Sequence, residues 1–260
     1  MLVVIEGIDG TGKQTQTEAL ADKLRMVGLT VSTIVFPRYG VTRGAGLVSA
    51  YLAGQFGQLD PFAAAMFFAL DRFESKKTLE MMMSTSDVVI CDRYVGSNMA
   101  HQAARVDDEG KKRDLKRFIM WLEYECHMMP VPDLQFLLRT TLTVSARNMS
   151  GREESDIHEA DAGHQSAALR EFDSIASETG WFVIDTVVAG LQRSREEISR
   201  ELHGTVVRER TYNQGTSDQA GVVGLAGEIF GEIMQQGSED RKDLCIQAAK
   251  RAMRYMTGMK

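Results

Sequence analysis

The residues best suited to chemistry lie near the start of the chain, in a glycine-rich segment directly after a short apolar run. The segment reads Gly7, Ile8, Asp9, Gly10, Thr11, Gly12, Lys13, Gln14 and Thr15. Glycines let the backbone curl so that its N–H groups point at phosphate oxygens, a following helix adds partial positive charge, and a lysine neutralises the β- and γ-phosphates. The spacing predicts a loop that binds nucleotide phosphates. The alternative is an ordinary glycine-rich turn between a strand and a helix.

One position departs from the usual form of such a loop. The residue after the lysine is normally serine or threonine, which contacts Mg²⁺, whereas here it is Gln14, followed by Thr15. An amide oxygen can face Mg²⁺ directly or face one of its waters. A further candidate ligand is Asp92, which ends an apolar run. Its expected role is to hold Mg²⁺ through water or to orient Arg93.

Short apolar runs alternate with long helical patterns along the chain, which is typical of a parallel sheet covered by helices. The runs predicted as strands buried on both faces are Leu2–Glu6, Val31–Phe36, Val88–Cys91, Leu134–Leu138 and Trp181–Ile184. Helices are predicted near Lys13–Val27, Pro61–Met83, Leu115–Met128, His164–Glu178 and Leu191–Leu202. The predicted fold class is therefore α/β, with a five-stranded parallel sheet flanked by helices.

Composition limits the class of protein. The 260 residues are 43% hydrophobic and 25% charged, which is ordinary for a globular protein. A net charge of −6 argues against a general nucleic-acid binder. Three widely spaced cysteines, Cys91, Cys126 and Cys245, predict reduced thiols in place of a disulfide framework or a zinc site. With no transmembrane run or signal peptide in the sequence, the expected location is the cytoplasm, with no membrane partner.

Arginines and a phenylalanine occur in or near the loops that follow the predicted strands, where parallel sheets bind their ligands. The sequence FPRY ends the second predicted strand, and DRY ends the third. The guanidinium forks of Arg38 and Arg93 in these loops suit phosphate oxygens. Phe68 and Arg72 lie four residues apart, on one face of a predicted helix.

Four motifs in this order resemble those of the thymidylate kinase family: the glycine-rich loop, FPRY, FFALDRF at 67–73 and DRYVGSN at 92–98. The resemblance covers about residues 1–205 and includes YLAGQFG at 51–57. It implies a P-loop nucleoside monophosphate kinase fold over residues 1–207. It also implies an enzyme that uses ATP and Mg²⁺ to phosphorylate dTMP to dTDP for dTTP synthesis, and a homodimer.

The resemblance assigns roles to individual residues. ATP is expected to contact Gly7, Gly10, Thr11, Gly12, Lys13, Gln14 and Thr15. The dTMP site is expected to comprise Asp9, Arg38, Phe68, Arg72, Arg93, Ser97, Asn98, His101 and Glu159. In this assignment Arg38 and Arg93 hold the phosphate. Phe68 stacks on thymine, and Arg72 contacts a base carbonyl. Asp9 lies beside the deoxyribose 3′-hydroxyl and the metal, so the expected Mg²⁺ ligands are Asp92, Asp9 and Gln14.

A polar segment at about 145–155 is expected to be a lid that closes over ATP, and it carries Arg147 and Arg152. One branch of the family has an arginine in the P-loop directly after the aspartate, where this chain has Gly10, and the other branch supplies it from the lid. The chain resembles the lid-arginine branch. The catalytic residues implied are Lys13, Arg93, Arg147, Arg152 and Asp9. An arginine on the transferring phosphoryl group contributes on the order of 10³-fold to the rate.

Each of these assignments has an alternative. Phe68 can belong to the apolar core, Arg72 can pair with Asp71 on a solvated helix, and the lid arginines can be a solvated helix end. For the whole chain, the alternatives are a kinase for dUMP, a modified deoxyuridine monophosphate or a nucleoside, and a non-catalytic nucleotide-binding or regulatory protein. Gln14 is the feature that favours loss of catalysis.

The resemblance does not extend over the C-terminal part of the chain. Residues 208–221 are polar without an apolar period and are predicted to be a linker. Two amphipathic patterns in 222–260 predict a helical hairpin that packs against another surface or a second copy. The alternative is an acidic metal half-site made of Glu228, Glu232, Asp240 and Asp243.

Overall fold

The computed structural model describes residues 1–150 and 161–217. Its strands are β1 (Leu2–Glu6), β2 (Val31–Val35), β3 (Val88–Asp92), β4 (Leu134–Arg139), β5 (Phe182–Asp185), β6 (Val187–Val188) and β7 (Leu191–Gln192). Its helices are α1 (Lys13–Met26), α2 (Arg43–Leu52), α3 (Pro61–Thr85), α4 (Val95–Ala103), α5 (Glu109–Met120), α6 (Leu142–Met149), α7 (Ala162–Thr179) and α8 (Arg195–Ser217). A π-helix at Trp121–Cys126 continues α5.

The first five strands form one parallel sheet in the order β2-β3-β1-β4-β5, which confirms the predicted fold class. β1 lies at the centre, with Leu2 opposite Val89 and Val3 opposite Leu134. Every residue of β1 and β3 is buried, as expected for central strands covered on both faces. The apolar runs in the sequence predict all five strands to within one residue at each end. The prediction that all five are buried on both faces is wrong for β2 and β5, which are only partly buried because they lie at the edges of the sheet.

The predicted helices agree less closely with the structure. α1, α3 and α7 match their predicted bounds to within two residues. The prediction of a helix at Leu115–Met128 is wrong in its bounds, because α5 begins at Glu109 and gives way to the π-helix at Trp121. The start of α5 is set by Asp108, whose carboxylate accepts from the Lys111 N–H at 2.7 Å.

Two helices and one hairpin differ from the prediction. The sequence patterns do not predict α2 and α4, which are short and rich in small residues. The helix predicted at Leu191–Leu202 is wrong at its start, since β7 pairs with β6 there and α8 begins only at Arg195. Ser194 and Glu197 cap this start reciprocally: Glu197 N donates to Ser194 Oγ at 3.2 Å, and Ser194 N donates to Glu197 Oε2 at 2.8 Å.

The chain divides into two compact units, Met1–Val206 and Val207–Lys260. The predicted linker at 208–221 is wrong over residues 208–217, which are part of α8, because this segment contains arginine, glutamate and glutamine and no proline. The rest of that segment and the hairpin predicted at 222–260 lie outside the described residues. Among the helices that are described, none combines the length and apolar character needed to cross a bilayer.

The sheet topology determines where the candidate site residues meet. β1 and β3 are parallel neighbours, with Ile5 opposite Asp92, so the loops that follow them leave the same edge of the sheet side by side. Open parallel sheets bind their ligands at this carboxyl edge. The glycine-rich loop after β1 and Arg93 after β3 both lie there.

Candidate active site

The glycine-rich loop leads from β1 directly into α1. Gly12 is the N-cap of α1 in the left-handed conformation, with φ of 86°, and it offers no side chain to satisfy the first N–H groups of the helix. The Thr11 hydroxyl donates to Ile8 O at 3.1 Å, which holds the curl of the loop. The N-terminus of α1 therefore presents backbone donors to an anion, as the sequence predicts.

Lys13 supplies the cation of this loop. Its side chain is buried, and Nζ donates to Ile8 O at 2.8 Å. Burial, reinforced by repulsion from Arg93, lowers the pKa of Lys13 to about 8, even though neighbouring carboxylates act in the opposite direction. An anion bound beside Nζ would favour the charged form of Lys13 and raise this pKa.

Arg93 and Asp9 form an ion pair between the loops that follow β3 and β1. Arg93 has φ of 65°, which is uncommon for a residue with a side chain and holds its guanidinium toward the glycine-rich loop. It pairs with the Asp9 carboxylate and donates to Gly7 O at 3.5 Å. Burial alone raises the pKa of Asp9, but Arg93 and Lys13 outweigh burial and hold that pKa well below its ordinary value. Asp9 is therefore ionised at neutral pH.

A buried carboxylate that the sequence analysis did not single out organises the start of α4. Glu6, the last residue of β1, is fully buried and accepts hydrogen bonds from Tyr94 N at 2.9 Å and Ser97 N at 3.1 Å. The Ser97 hydroxyl also donates to Glu6, so this predicted dTMP contact is engaged within the protein. Burial raises the pKa of Glu6, against these hydrogen bonds and Arg93. The signal for Glu6 in the sequence is a single glutamate at the end of an otherwise apolar strand.

A cavity of about 380 Å³ lies beside these charged groups. The residues predicted for dTMP that line it are Asp9, Phe68, Arg72, Arg93, Ser97, Asn98 and His101. Tyr39 and Gln102, to which the sequence analysis gave no role, line it too. Gln102 Nε2 is buried without a hydrogen-bond partner among the described residues, so it is available to a molecule in the cavity.

The amide of Asn98 is held in one orientation inside this cavity. Its Nδ2 donates to Ala65 O at 3.0 Å, while its Oδ1 is buried without a hydrogen-bond partner among the described residues. A buried acceptor that lacks a donor is costly unless a ligand supplies one. Asn98 therefore presents an acceptor to any molecule in the cavity.

Phe68 and Arg72 reach the cavity from α3. Phe68 meets Tyr51 edge-on, with ring centroids 6.4 Å apart and planes at 85°, and its ring is partly buried. Arg72 is only 3% exposed and pairs with the fully buried Glu123 of the π-helix. Burial opposes the charge on Arg72, but Glu123 outweighs burial and keeps the pKa of Arg72 above its ordinary value. The alternative of a solvated pair with Asp71 is therefore wrong.

Arg38 is placed differently from the other predicted cations. The residues on either side of it, Pro37 and Tyr39, line the cavity. The Arg38 guanidinium donates to Ser75 Oγ at 3.3 Å, and its backbone N–H donates to Asp71 Oδ2 at 3.1 Å. Its contact with an acceptor phosphate stays a prediction.

The described part of the predicted lid is residues 145–150, which lie mostly in α6 and contact the glycine-rich loop. Ser145 Oγ donates to Asp9 O at 2.6 Å, and Asn148 Nδ2 donates to Gly10 O at 2.8 Å. Gly10 has φ of 73°, and a β-carbon added there would lie 2.5 Å from Ser145 O. The close approach of α6 thus leaves no room for a side chain at position 10 in this arrangement. That the lid supplies the catalytic arginine stays a prediction.

Of the remaining residues predicted for the lid and the acceptor site, Arg147 and His101 are described by the structure, and Arg152 and Glu159 are not. Arg147, in α6, is exposed and donates to Gln192, and its role in catalysis stays a prediction. Arg152 and Glu159 lie outside the described residues. His101 Nδ1 lies 3.3 Å from His164 Nε2, so a second histidine adjoins the cavity.

The groups predicted to bind Mg²⁺ differ in how well they fit it. Asp92 Oδ1 is buried without a hydrogen-bond partner among the described residues, and Asp92 and Gln14 line a second cavity of about 320 Å³. The Gln14 amide nitrogen donates to Glu18 at 3.1 Å, which leaves the amide oxygen for a cation or its water. Because Mg²⁺ uses few carboxylates together with phosphates and waters, Asp92 and Gln14 fit it. Asp9, engaged by Arg93, fits less well as a direct ligand.

A phosphate-binding loop lies at the carboxyl edge of a parallel sheet, and the cavity beside it contains a second buried cation, Arg72. This arrangement defines a P-loop nucleotide kinase. Comparison with known proteins narrows the class. The sequence profile of the family described as thymidylate kinase matches residues 5–198. The chain therefore belongs to the thymidylate kinase family.

Individual relatives agree with this assignment. The thymidylate kinase of Mycobacterium tuberculosis (strain CDC 1551 / Oshkosh) is 34% identical over 189 residues, which are 70% of this chain and 87% of the relative. That of Bifidobacterium longum subsp. infantis is 31% identical over 242 residues, 91% of this chain and 98% of the relative. The fold is similar to the solved thymidylate kinase of Candida albicans, with a TM-score of 0.62 at 24% identity, covering 80% of this chain and 92% of the other.

Proposed function

We propose that the protein transfers the γ-phosphoryl group of ATP to dTMP and so forms dTDP. The observation that supports this most directly is the pair of polar groups in the cavity. Arg72 has only donors, and Asn98 presents an acceptor because its nitrogen is held by Ala65 O at 3.0 Å. Thymine offers the complementary set, an O4 acceptor and an N3–H donor. Cytosine offers the opposite set, a 4-amino donor and an N3 acceptor.

The charges around the cavity suit a direct transfer between two phosphates. An acceptor monophosphate is already ionised near neutral pH, so no general base is required for in-line attack on the γ-phosphorus. Lys13 and the N-terminus of α1 hold the triphosphate, and Arg93 faces both phosphate sites from the end of β3. Asp9 fixes Arg93 in that position. We infer that Arg38, Arg147 and Arg152 add positive charge when the lid closes, and that closure excludes water.

We infer that Mg²⁺ accompanies ATP and is held by Asp92 and Gln14, directly or through water. When bound, it neutralises charge on the phosphates. The unpartnered Oδ1 of Asp92 supports this assignment. Asp92 also lies next to Arg93 in sequence, so one strand end would serve the metal and the transferred group. The contact of Glu159 with the acceptor sugar and the location in the cytoplasm stay predictions.

The test of the proposed function is ADP release measured across a panel of dTMP, dUMP, dCMP and dGMP, with ATP alone as the background. We expect the highest kcat/KM for dTMP, and a value for dCMP lower by at least about 10²-fold, because the polar groups of the site would face groups of the same kind. ADP release that does not depend on dTMP would overturn the proposal. A preference for dUMP would assign a different acceptor to the same site.

We propose further that two copies associate through α3. Met66, Phe73 and Met81 lie within one side of this helix, and they are 53%, 48% and 59% exposed. A row of exposed apolar side chains on a helix is typical of an interface. We expect light scattering to give twice the monomer mass, and the double variant Met66→Glu/Phe73→Glu to give the monomer mass. Met26→Glu, at the last residue of α1, which is 85% exposed, is the control. An unchanged dimer in the double variant would exclude this face.

A further inference from the structure

Arg72 and Glu123 form the most buried ion pair among the described residues, with side-chain exposures of 3% and 0%. Arg72 Nε lies 2.9 Å from Glu123 Oε1 and 3.0 Å from Oε2, and Nη2 also donates to Oε1. The pair joins α3 to the π-helix, 51 positions apart in sequence. A carboxylate that grips the Nε and Nη2 edge fixes the plane of the guanidinium.

The backbone around Glu123 is unusual. Trp121–Cys126 is a π-helix, in which His127 N donates to Leu122 O at 2.9 Å, and Met129 N donates to Glu123 O at 2.9 Å. Within this turn Glu123 is fully buried, whereas Trp121 and Glu125 are exposed. Such wide turns are rare and occur frequently at functional sites. Here the wide turn directs one carboxylate inward to the arginine that lines the cavity.

We propose that Glu123 is a positioning residue that holds the Arg72 guanidinium in place and thereby sets the selectivity for pyrimidine acceptors with a 4-oxo group. The proposal rests on the proposed function. The carboxylate occupies one edge of the guanidinium, and the remaining N–H groups on Nη1 and Nη2 are left to meet an acceptor in the cavity. Because Glu123 neutralises Arg72, the guanidinium presents hydrogen-bond donors of fixed direction with little net charge to attract other anions.

The physical reason for a charged partner is the burial of Arg72. Without Glu123, the guanidinium would be a buried cation without compensation, and it would shift toward other acceptors such as nearby backbone carbonyls or a phosphate. Recognition of the base depends on the direction in which the Arg72 N–H groups point. If the guanidinium is displaced, it no longer donates to thymine O4 when Asn98 accepts from N3–H. Loss of Glu123 should therefore affect dTMP recognition and leave the ATP site, on the other side of Arg93, unchanged.

The experiment compares Glu123→Gln with Glu125→Gln, a matched change at an exposed position of the same π-helix. For Glu123→Gln we expect the KM for dTMP to rise at least about tenfold and the ratio of kcat/KM for dTMP over dCMP to fall at least about tenfold, with the KM for ATP within about twofold. The Glu125→Gln variant should match the wild type in all three. A purely structural role for Glu123 would alter both KM values together, or neither.

A second comparison covers the case in which Glu123→Gln does not fold. Replacement of both members of a buried ion pair by apolar residues is tolerated far better than removal of one. The double variant Arg72→Met/Glu123→Met should therefore fold, as checked by circular dichroism. It should have the same dTMP over dCMP ratio as the double variant Arg72→Met/Glu123→Gln, which also leaves no unpaired charge, because Glu123 acts only through Arg72.

The proposal is overturned if Glu123→Gln keeps the wild-type KM for dTMP and the wild-type acceptor ratio. It is also overturned if Arg72→Met/Glu123→Met and Arg72→Met/Glu123→Gln differ in their dTMP over dCMP ratio. These outcomes are distinct from failure of the proposed function, which would appear as a wild-type protein that does not phosphorylate dTMP.

Discussion

Replacement of Lys13 by alanine should reduce ADP release with dTMP by about 10³-fold or more. Lys13 is the cation of the glycine-rich loop, and burial lowers its pKa to about 8. The only hydrogen bond described for Nζ is to Ile8 O, at 2.8 Å. The variant should therefore keep its fold, as judged by circular dichroism and thermal unfolding. Turnover near the wild-type value in a folded variant would contradict a role for this loop in transfer.

The same lysine has a pH-dependent signature that serves as an internal control. Because the pKa of Lys13 is about 8 in the free protein, the amine is mostly charged at pH 7 and mostly neutral at pH 9. Bound phosphates favour the charged form and raise this pKa. ATP binding should therefore take up more protons at pH 9 than at pH 7, as calorimetry in buffers of different ionisation enthalpy measures. The uptake should vanish in Lys13→Met, and its persistence there would assign the proton to another group.

Replacement of Arg93 by alanine should lower kcat by about 10³-fold, comparable to the loss of an arginine that stabilises a transferring phosphoryl group. Arg93 is held between the P-loop and the acceptor cavity by Asp9 and Gly7 O. Arg93→Lys should restore only part of the rate, because an ammonium cannot contact Asp9 and a phosphate with a fixed planar fork.

A matched control is Arg200→Ala, which removes an arginine that is 71% exposed on α8 and paired with Glu196. This variant should have the wild-type kcat. The Arg93→Ala protein should also show a raised pKa for Asp9, since Arg93 is the strongest of the groups that lower it. A kcat for Arg93→Ala within about threefold of the wild type would exclude a role in the transfer step, since a group that stabilises the transferring phosphoryl contributes far more.

Structures that depend on nearby residues are predictable from the sequence, whereas structures that depend on remote contacts are not. The central strands β1 and β3 are predictable because strands covered on both faces must be apolar throughout, and such apolar runs are unambiguous. The edge strands β2 and β5 also have apolar runs, although the structure leaves them only partly buried. α4 was not predictable in the same way. Its start depends on Glu6, which caps it from β1, 91 positions away from Ser97. The cap at Ser194 and Glu197, by contrast, is a local serine–glutamate pattern, and it would have corrected the start of α8.

The candidate site residues also divide into those that depend on local sequence and those that depend on remote contacts. Lys13 and Arg93 were identified from loop chemistry, because the strand, loop and helix that present them are contiguous in sequence. Glu123 was not identified, since it lies within an ordinary helical pattern and its meaning depends on Arg72, 51 positions earlier. The orientation of the Asn98 amide likewise depends on Ala65 O, an atom of a different helix.

The amino-acid sequence by itself determined the parallel sheet, the phosphate-binding loop and the position of the cations at the ends of strands. Each of these depends on hydrophobic pattern or on backbone freedom over a few residues. The tertiary structure alone decided which polar groups face the cavity and in what orientation. Asp9 O meets Ser145 Oγ across 136 positions, and Arg72 is aimed by Glu123. Hydrogen bonds and ion pairs depend on direction at distances of about 3 Å, and only the packing of remote elements sets such directions.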